Sequence, residues 1–181
     1  SKSFDFTEII VATAPSKLEW TIRLLRRYKF HGLRIVAGGR SRSESVQNAL
    51  LSVSDDCDWV LVHDAARPLV ARALVRRLLN ASRTTGAVIA AMPATATVKR
   101  SGVRKGFIFQ TEDRKRLFLA QTPQVFKKDL LVKRVRALGA KALRCTDEAA
   151  LFDGSRTRVK IVLGDPKNIK ITAPEDIKLF K

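Results

Sequence analysis

The sequence predicts an α/β fold: a mostly parallel β-sheet with helices on both faces and a β-hairpin arm. Short, nearly continuous apolar segments alternate with amphipathic segments, and one later segment instead alternates apolar and polar residues. Strands that are apolar throughout indicate a parallel sheet that is covered on both faces. Such sheets bind ligands beyond the carboxyl ends of their strands, so a functional site is expected there.

The first half of the chain alternates between strands and helices. Leu18, Ile22 and Leu25 are spaced by four and three residues, which is typical of one face of a helix. Ser41 and Glu44 fit the S-x-x-E pattern of a capping box and mark the start of a second helix. The predicted strands are Thr7–Thr13, Leu33–Gly39, Asp58–Asp64 and Gly86–Pro93.

The second half departs from this alternation. Residues from about 94 to 115 are predicted to form the hairpin arm, with a turn at Ser101–Gly102. Helical spacing returns over Lys128–Leu138, and Gly139 is placed just after the helix. A last strand is expected at 158–165 and a short helix at 174–180, whereas AQTPQVF, TDEA and GDPKNIKIT are predicted to be loops. No repeat or linker divides the chain, so residues 1–181 are assigned to one domain.

The charge is strongly basic: 35 Lys and Arg residues against 17 Asp and Glu residues, a net charge of +18. Such an excess fits either nucleic-acid binding or an enzyme for phosphorylated substrates. The basic residues are scattered over predicted helix faces and no known nucleic-acid-binding motif is present, so a solvated basic surface is favoured. Nucleic-acid binding stays as an alternative, and it predicts an affinity that falls steeply with salt.

Composition also bears on the compartment. No apolar run approaches 18 residues, so no membrane-spanning helix and no membrane partner are expected, and the first residues lack the apolar core of a signal peptide. The two cysteines, Cys57 and Cys145, have no CxxC spacing and are interpreted as reduced core residues. We therefore expect a cytoplasmic protein, or a stromal one in a eukaryotic organelle.

The segment LVHDAARPLV places charged residues directly after a buried strand. Asp64 is interpreted as a ligand for a metal or for hydroxyl groups, although it could instead cap the following helix. Arg67 could bind a ligand or simply pair with Asp64. His63 is a weaker candidate, because a histidine here is more often a hydrogen-bonding residue at the edge of the core.

A second candidate is the Gly38–Gly39 turn before the capped helix. Glycines allow close approach of the backbone, and unpaired amides at a helix N-terminus suit an anion or a base edge. Arg42 and Ser45 would lie on the first turn of that helix. The pattern is neither a Walker A loop nor G-x-G-x-x-G. Thr122, Thr146 and Lys170 could gather around a phosphate, but their spacing leaves open whether they meet. The predicted arm offers Thr97, Lys99 and Arg114, although single charges on a hairpin are by default exposed to solvent.

Six segments occur in an order that is specific to one family: VAGGRSRSESVQNAL, VLVHDAARPLV, ATVKR, TEDRKRLFLAQTPQVF, TDEAALF and VLGDPKNIKITAPED. From about Thr7 to its end, the chain closely resembles the 2-C-methyl-D-erythritol 4-phosphate cytidylyltransferase family of the non-mevalonate isoprenoid pathway. The resemblance implies a Rossmann-like domain whose β-arm clasps a second subunit in a homodimer. It also implies that CTP and methylerythritol phosphate react, with Mg²⁺, to give CDP-methylerythritol and pyrophosphate.

The resemblance also assigns residue roles. It implies nucleotide contacts for Gly39, Arg42, Ser45 and Ala65. It implies catalytic roles for Asp64, Arg114 and Lys170, and substrate contacts for Arg67, Thr97, Thr122 and Thr146, with Thr97 and Arg114 reaching the neighbouring subunit. Metal ligands are not identified by it.

The start of the sequence departs from the family pattern, and this departure is expected to affect activity. Members begin with a strand and a glycine-rich loop whose Arg and Lys hold the triphosphate, whereas the first glycine here is Gly32. We therefore expect a truncated chain that lacks this strand, loop and helix and does not transfer cytidylyl groups efficiently by itself. Two alternatives stay open besides nucleic-acid binding: a cytidylyltransferase for another alditol phosphate such as ribitol 5-phosphate, and a structural remnant that dimerises through the arm.

Overall fold

The structure is a computed structural model that describes residues 4, 6–28, 30, 32–102 and 106–180. Its eight strands are β1 (Ile9–Thr13), β2 (Leu33–Ala37), β3 (Trp59–Val62), β4 (Ala87–Pro93), β5 (Lys99–Ser101), β6 (Ile108–Thr111), β7 (Phe118–Lys127) and β8 (Lys160–Leu163). Its α-helices are α1 (Leu18–Leu25), α2 (Arg42–Leu51), α3 (Arg72–Thr85) and α4 (Lys128–Leu138). Short 3₁₀ helices lie at Pro15–Lys17, Arg114–Arg116, Gly139–Arg144, Ala149–Phe152 and Pro174–Phe180.

Hydrogen bonds join the described strands into a pair, a four-stranded sheet and the arm. The parallel pair is β1–β2, and the four-stranded sheet has the order β3-β7-β4-β8. Strand β7 is antiparallel to β3 and β4, whereas β4 is parallel to β8, so three of the four strands run in the same direction. Among the described strands, β1 pairs with β2 alone and β3 pairs with β7 alone.

The core lies on both faces of strand β4. Val88 and Ala90 pack with Leu74 and Leu78 of α3 on one face. Ala87, Ile89 and Ala91 pack on the other face with residues of α2, β7, α4 and the 3₁₀ helix Ala149–Phe152. This alternation explains why the strand is apolar at every position, since both faces are covered. The predicted α/β class with helices on both faces is confirmed.

Strand β7 corrects the prediction of a loop at AQTPQVF. Three polar residues and Pro123 interrupt the apolar pattern there, and proline is normally excluded from inner strands. Strand β4 pairs Ile89 with Gln124 and Ala90 with Gln121, so Thr122 and Pro123 form a bulge with no partner in β4. The bulge accommodates a residue without an N–H group in the middle of the sheet.

The arm is an antiparallel hairpin of β5 and β6. Ser101 ends β5, and the N–H of Gly102 donates to the carbonyl of Phe107 at 3.2 Å. Residues 103–105, which follow the predicted Ser101–Gly102 turn, lie outside the described residues. In the part of the chain that is described, no helix is long and apolar enough to cross a membrane.

Candidate active site

A cavity of about 210 Å³ lies beyond the end of β3, beside the β7 bulge. Three cationic side chains and two carboxylates line it, so its wall carries an excess of one positive charge. Six predicted residues line the cavity: Arg42, Asp64, Arg67, Thr122, Thr146 and Lys170. The remaining lining residues are Ala120, Gln121, Gln124 and Asp147.

The carboxylate of Asp64 is the centre of the site. Arg42 Nε donates to Asp64 Oδ1 at 2.8 Å, and Lys170 Nζ contacts Oδ2 at 3.0 Å. Arg67 Nε lies 3.9 Å from the same Oδ2 atom. Burial raises the pKa of the Asp64 carboxyl, but the hydrogen bonds from Arg42 and Lys170 outweigh burial and hold this pKa below its usual value. Asp64 is therefore an anion that gathers three cations, two of which, Arg42 and Lys170, come from distant parts of the chain.

Arg42 links Asp64 to a second, deeply buried carboxylate. Its Nη1 and Nη2 atoms donate to the two oxygens of Glu148 at 2.8 and 2.9 Å, a bidentate pair. The side chain of Glu148 is only 4% exposed. Burial lowers the pKa of the Arg42 guanidinium, but Glu148 and Asp64 outweigh burial and raise it above its usual value. Arg42 thus stays charged and fixes the start of α2 against the segment TDEA.

Thr122, itself hydrogen-bonded to His63, holds the backbone of Asp64 in place. The hydroxyl of Thr122 accepts the Asp64 backbone N–H at 2.9 Å and lies 3.0 Å from His63 Nδ1. His63 Nε2 lies 3.0 Å from the Arg67 carbonyl, which can only accept, so Nε2 carries the proton and Nδ1 accepts from Thr122. Burial lowers the pKa of His63, which fits this neutral form. The Thr122 hydroxyl is therefore engaged within the protein in this structure.

Acidification should lower the free energy of unfolding through His63. The unfolded chain takes up a proton at the ordinary histidine pKa of 6.5, whereas folded His63 has a lower pKa and stays neutral further down. The stabilising contribution is complete above pH 6.5 and is lost as the pH falls through the folded-state pKa. Urea unfolding between about pH 8 and pH 5 should show a weaker pH dependence for His63→Gln than for the wild type. His31 is present in both proteins and contributes equally to their pH dependence. An equal pH dependence of the free energy of unfolding in the two proteins would contradict the prediction.

The Gly38–Gly39 turn brings the backbone against the first turn of α2. A Cβ atom on Gly38 would lie 2.7 Å from Ser45 Oγ, and one on Gly39 would lie 2.2 to 2.5 Å from atoms of Glu44. The Gly39 N–H donates to Ser45 Oγ at 3.0 Å, and the Arg40 N–H donates to Glu44 Oε2 at 2.7 Å. These amides are paired here, unlike the expectation of unpaired ones.

The described residues contain no group of three or more His, Cys, Asp or Glu side chains arranged to hold a metal ion. In the cavity itself, Asp64 is occupied by cationic side chains, while Asp147 accepts from the Gln124 amide and the Ala150 N–H. These two carboxylates do not form a resident metal site within the described part of the chain.

The family model for 2-C-methyl-D-erythritol 4-phosphate cytidylyltransferase matches residues 2–181. The chain belongs to this cytidylyltransferase family. The family predicted from the sequence is thereby confirmed, together with its class of enzyme, the nucleotidyltransferases.

Individual proteins and a solved structure of the same family are similar to this chain. A protein of Solibacter usitatus named 2-C-methyl-D-erythritol 4-phosphate cytidylyltransferase is 39% identical over 176 residues, 95% of this chain and 72% of that protein. A "Bifunctional enzyme IspD/IspF" of Anaeromyxobacter is 44% identical over 146 residues, and the match covers 80% of this chain but 38% of that protein. The crystal structure of the 4-diphosphocytidyl-2C-methyl-D-erythritol synthase of Anaerococcus prevotii has a TM-score of 0.88 and 30% identity, covering 98% of this chain and 78% of that one.

The remaining residues implied by the cytidylyltransferase resemblance, Gly39, Ser45, Ala65, Thr97 and Arg114, are not among those that line the cavity. Ala65 and Thr97 are exposed, and Arg114 Nη1 donates to the Thr95 carbonyl at 2.7 Å from the 3₁₀ helix after β6. The prediction that Thr97 and Arg114 serve a neighbouring subunit therefore stays a prediction.

Three residues that support the candidate site were not singled out from the sequence. Glu148 anchors Arg42, and Gln124 holds the segment TDEA by donating to Asp147 and accepting from the Ala149 N–H at 3.2 Å. Asn168 is fully buried near Lys170. The only available signal was that each stands within a motif segment, since a polar residue in an expected loop is ordinarily exposed.

Proposed function

We propose that this protein transfers CMP from CTP to 2-C-methyl-D-erythritol 4-phosphate. The observation that carries the proposal is the convergence of Arg42, Arg67 and Lys170 on the single carboxylate Asp64 in one cavity. This arrangement offers cations for phosphate groups beside an anion for sugar hydroxyls. The family relationship supports the same reaction.

The reaction requires little covalent chemistry from the protein. An oxygen of the substrate phosphate attacks the α-phosphorus of CTP in line, the new P–O bond forms, and the bond to the β-phosphate breaks as pyrophosphate leaves with the electron pair. The main obstacle is repulsion between two anions, which positioned cations reduce. Lys170 suits this task, because its ammonium group has three donors and Asp64 accepts one of them.

Substrate hydroxyls would bind at Asp64. A carboxylate has about four acceptor positions, and Arg42 and Lys170 use two of them at hydrogen-bonding distance. Arg67 and the exposed Thr146 border the same cavity and would contact the phosphate of the sugar alcohol. Thr122, which also lines the cavity, would contact the same substrate. For the cytidine we propose the turn that includes Gly39 and Ser45, with Ala65 and Arg42 nearby.

A divalent cation enters this proposal with the triphosphate. Mg²⁺ commonly keeps several waters and binds substrate phosphates together with one or two carboxylates, rather than an all-protein cage. The described residues do not form such a cage, so the cation would be held chiefly by the triphosphate and would neutralise part of its charge.

We further propose a homodimer through the arm, in which Thr97 and Arg114 reach the partner's site. Ile108 and Phe109 of β6 are 67% and 68% exposed, which supports burial against a second subunit. The two free cysteines support a reducing compartment, the cytoplasm or an organelle stroma.

Pyrophosphate release tests the function and the choice of substrate. With CTP and Mg²⁺, 2-C-methyl-D-erythritol 4-phosphate should support turnover by the complete gene product, whereas ribitol 5-phosphate should give a much lower kcat/KM. A preference for ribitol 5-phosphate would contradict the substrate assignment.

A further inference from the structure

The loop Gly164–Thr172, which we call the Lys170 loop, brings Lys170 to Asp64 without any helix or strand of its own. Backbone hydrogen bonds hold its two ends: the Gly164 N–H donates to the Ala91 carbonyl at 2.9 Å, and the Ile171 N–H donates to the Ala66 carbonyl at 2.8 Å. A lysine on an irregular segment needs further support to keep one position, since such segments lose their order easily.

Asn168 supplies support in the middle of the Lys170 loop. Its Nδ2 atom donates to the carbonyl of Thr122 at 2.8 Å and to Gln121 Oε1 at 3.3 Å. Its backbone carbonyl accepts from Arg67 Nη1 at 2.7 Å. With 0% of its surface exposed, Asn168 cannot touch a substrate, yet it joins the loop both to the β7 bulge and to Arg67.

The orientation of the Asn168 amide is dictated by its neighbours. Both atoms that face Nδ2 are acceptors, so the opposite orientation would set the Asn168 oxygen against two other oxygens. As a result, Oδ1 is buried without a hydrogen-bond partner among the described residues. A buried acceptor without a partner destabilises the folded chain. A residue that only filled space would not carry this cost, which indicates a role for the two bonds that Nδ2 makes.

We infer that Asn168 is a positioning residue, which holds Lys170 over Asp64 and fixes the Arg67 guanidinium at the same time. The inference rests on the proposed function only for its catalytic consequence, because the placement of Lys170 can be measured without turnover. Asn168 is two residues from Lys170, so the amide fixes the backbone from which the lysine side chain extends.

The first experiment measures the position of Lys170 directly. The complete gene product and its Asn168→Ala and Asn168→Asp variants are treated briefly with an amine-acetylating reagent, and modification of each lysine is followed by mass spectrometry. Lys170 should be modified severalfold faster in both variants, because release of the loop breaks its ion pair with Asp64. Exposed Lys133 on α4 is the internal reference and should be modified at one rate throughout. An unchanged Lys170 rate in folded variants would overturn the inference.

The second experiment asks whether Asn168 acts through Lys170. Asn168→Ala should lower kcat/KM for cytidylyl transfer by roughly 10²-fold, the scale expected for a misplaced catalytic group. The double variant Asn168→Ala/Lys170→Ala should be no slower than Lys170→Ala alone, because the two residues act as one unit. Multiplying effects would instead mean a general structural role and would overturn the inference.

A control separates positioning from loss of stability. Val88→Ala removes core volume from β4, where Val88 is fully buried, and should lower the melting temperature while kcat/KM is retained. Asn168→Asp preserves side-chain volume but removes the donor, so it serves if Asn168→Ala does not fold. Should the wild type fail to transfer CMP, the proposed function fails, and the acetylation experiment alone then decides the placement of Lys170.

Discussion

Replacing Asp64 by Asn should lower the turnover of cytidylyl transfer by roughly 10²-fold or more, the scale of a lost electrostatic contact in an active site. The amide would keep the size of the side chain but remove the negative charge that gathers Arg42, Arg67 and Lys170. Without that charge the three cations would repel one another and leave their present positions. Steady-state pyrophosphate release by the complete gene product measures the effect.

Two further variants make this result specific. Lys170→Ala should cause a loss of similar size, because it removes the cation proposed to stabilise the reacting phosphates. Asp58→Asn, at the opposite end of β3, makes the same change of charge on an exposed residue and should retain wild-type turnover. Near-wild-type rates in both Asp64→Asn and Lys170→Ala would mean that the active site lies elsewhere.

Replacing Arg42 by Ala should lower the free energy of unfolding by about 3 kcal/mol, at the lower end of the range for breaking a buried ion pair. The loss is large because Glu148, 4% exposed, would be left as a buried carboxylate without its bidentate partner. The lower end applies because the Arg42 side chain keeps 29% of its exposure. Urea denaturation of the purified variant gives the value.

A second variant distinguishes the ion pair from simple loss of packing. Arg42→Met/Glu148→Met removes both charges while keeping apolar volume, and should recover much of the stability lost in Arg42→Ala. Arg76→Ala on α3 removes an exposed arginine and should change stability little. If Arg42→Ala were as stable as Arg76→Ala, the Arg42–Glu148 pair would contribute nothing to folding.

Structural features that depend on residues close together in the sequence were predicted well. Helix Lys128–Leu138 matches its predicted bounds, and Gly139 directly follows it as predicted, with a φ of +51°. Ser41 caps the second helix as predicted, since the Glu44 N–H donates to Ser41 Oγ at 3.1 Å, whereas the Glu44 carboxylate accepts from the Arg40 N–H and not from that of Ser41. Each depends on residues close in sequence, so spacing and local hydrogen bonding were sufficient to predict it.

Strand β7 shows where local patterns fail. Its polar residues and Pro123 resemble a loop, yet Gln121, Thr122 and Gln124 are all buried. Their polar groups are paired with segments far along the chain: Gln121 with Asp165, and Gln124 with Asp147. Polar residues can occupy a central strand when such partners exist, and no local spacing reveals partners that are distant in sequence.

By itself, the sequence determined the α/β class, the family, and a set of residues that included Asp64, Arg67 and Lys170. Apolar periodicity and ordered motifs are properties of the chain, and each can be recognised without knowing what lies beside it. The tertiary structure alone decided that these three residues meet, that Arg42 is bound to Glu148, and that Asn168 anchors the Lys170 loop. The physical reason is that ion pairs and buried hydrogen bonds depend on distances of about 3 Å between atoms, which only the folded chain establishes.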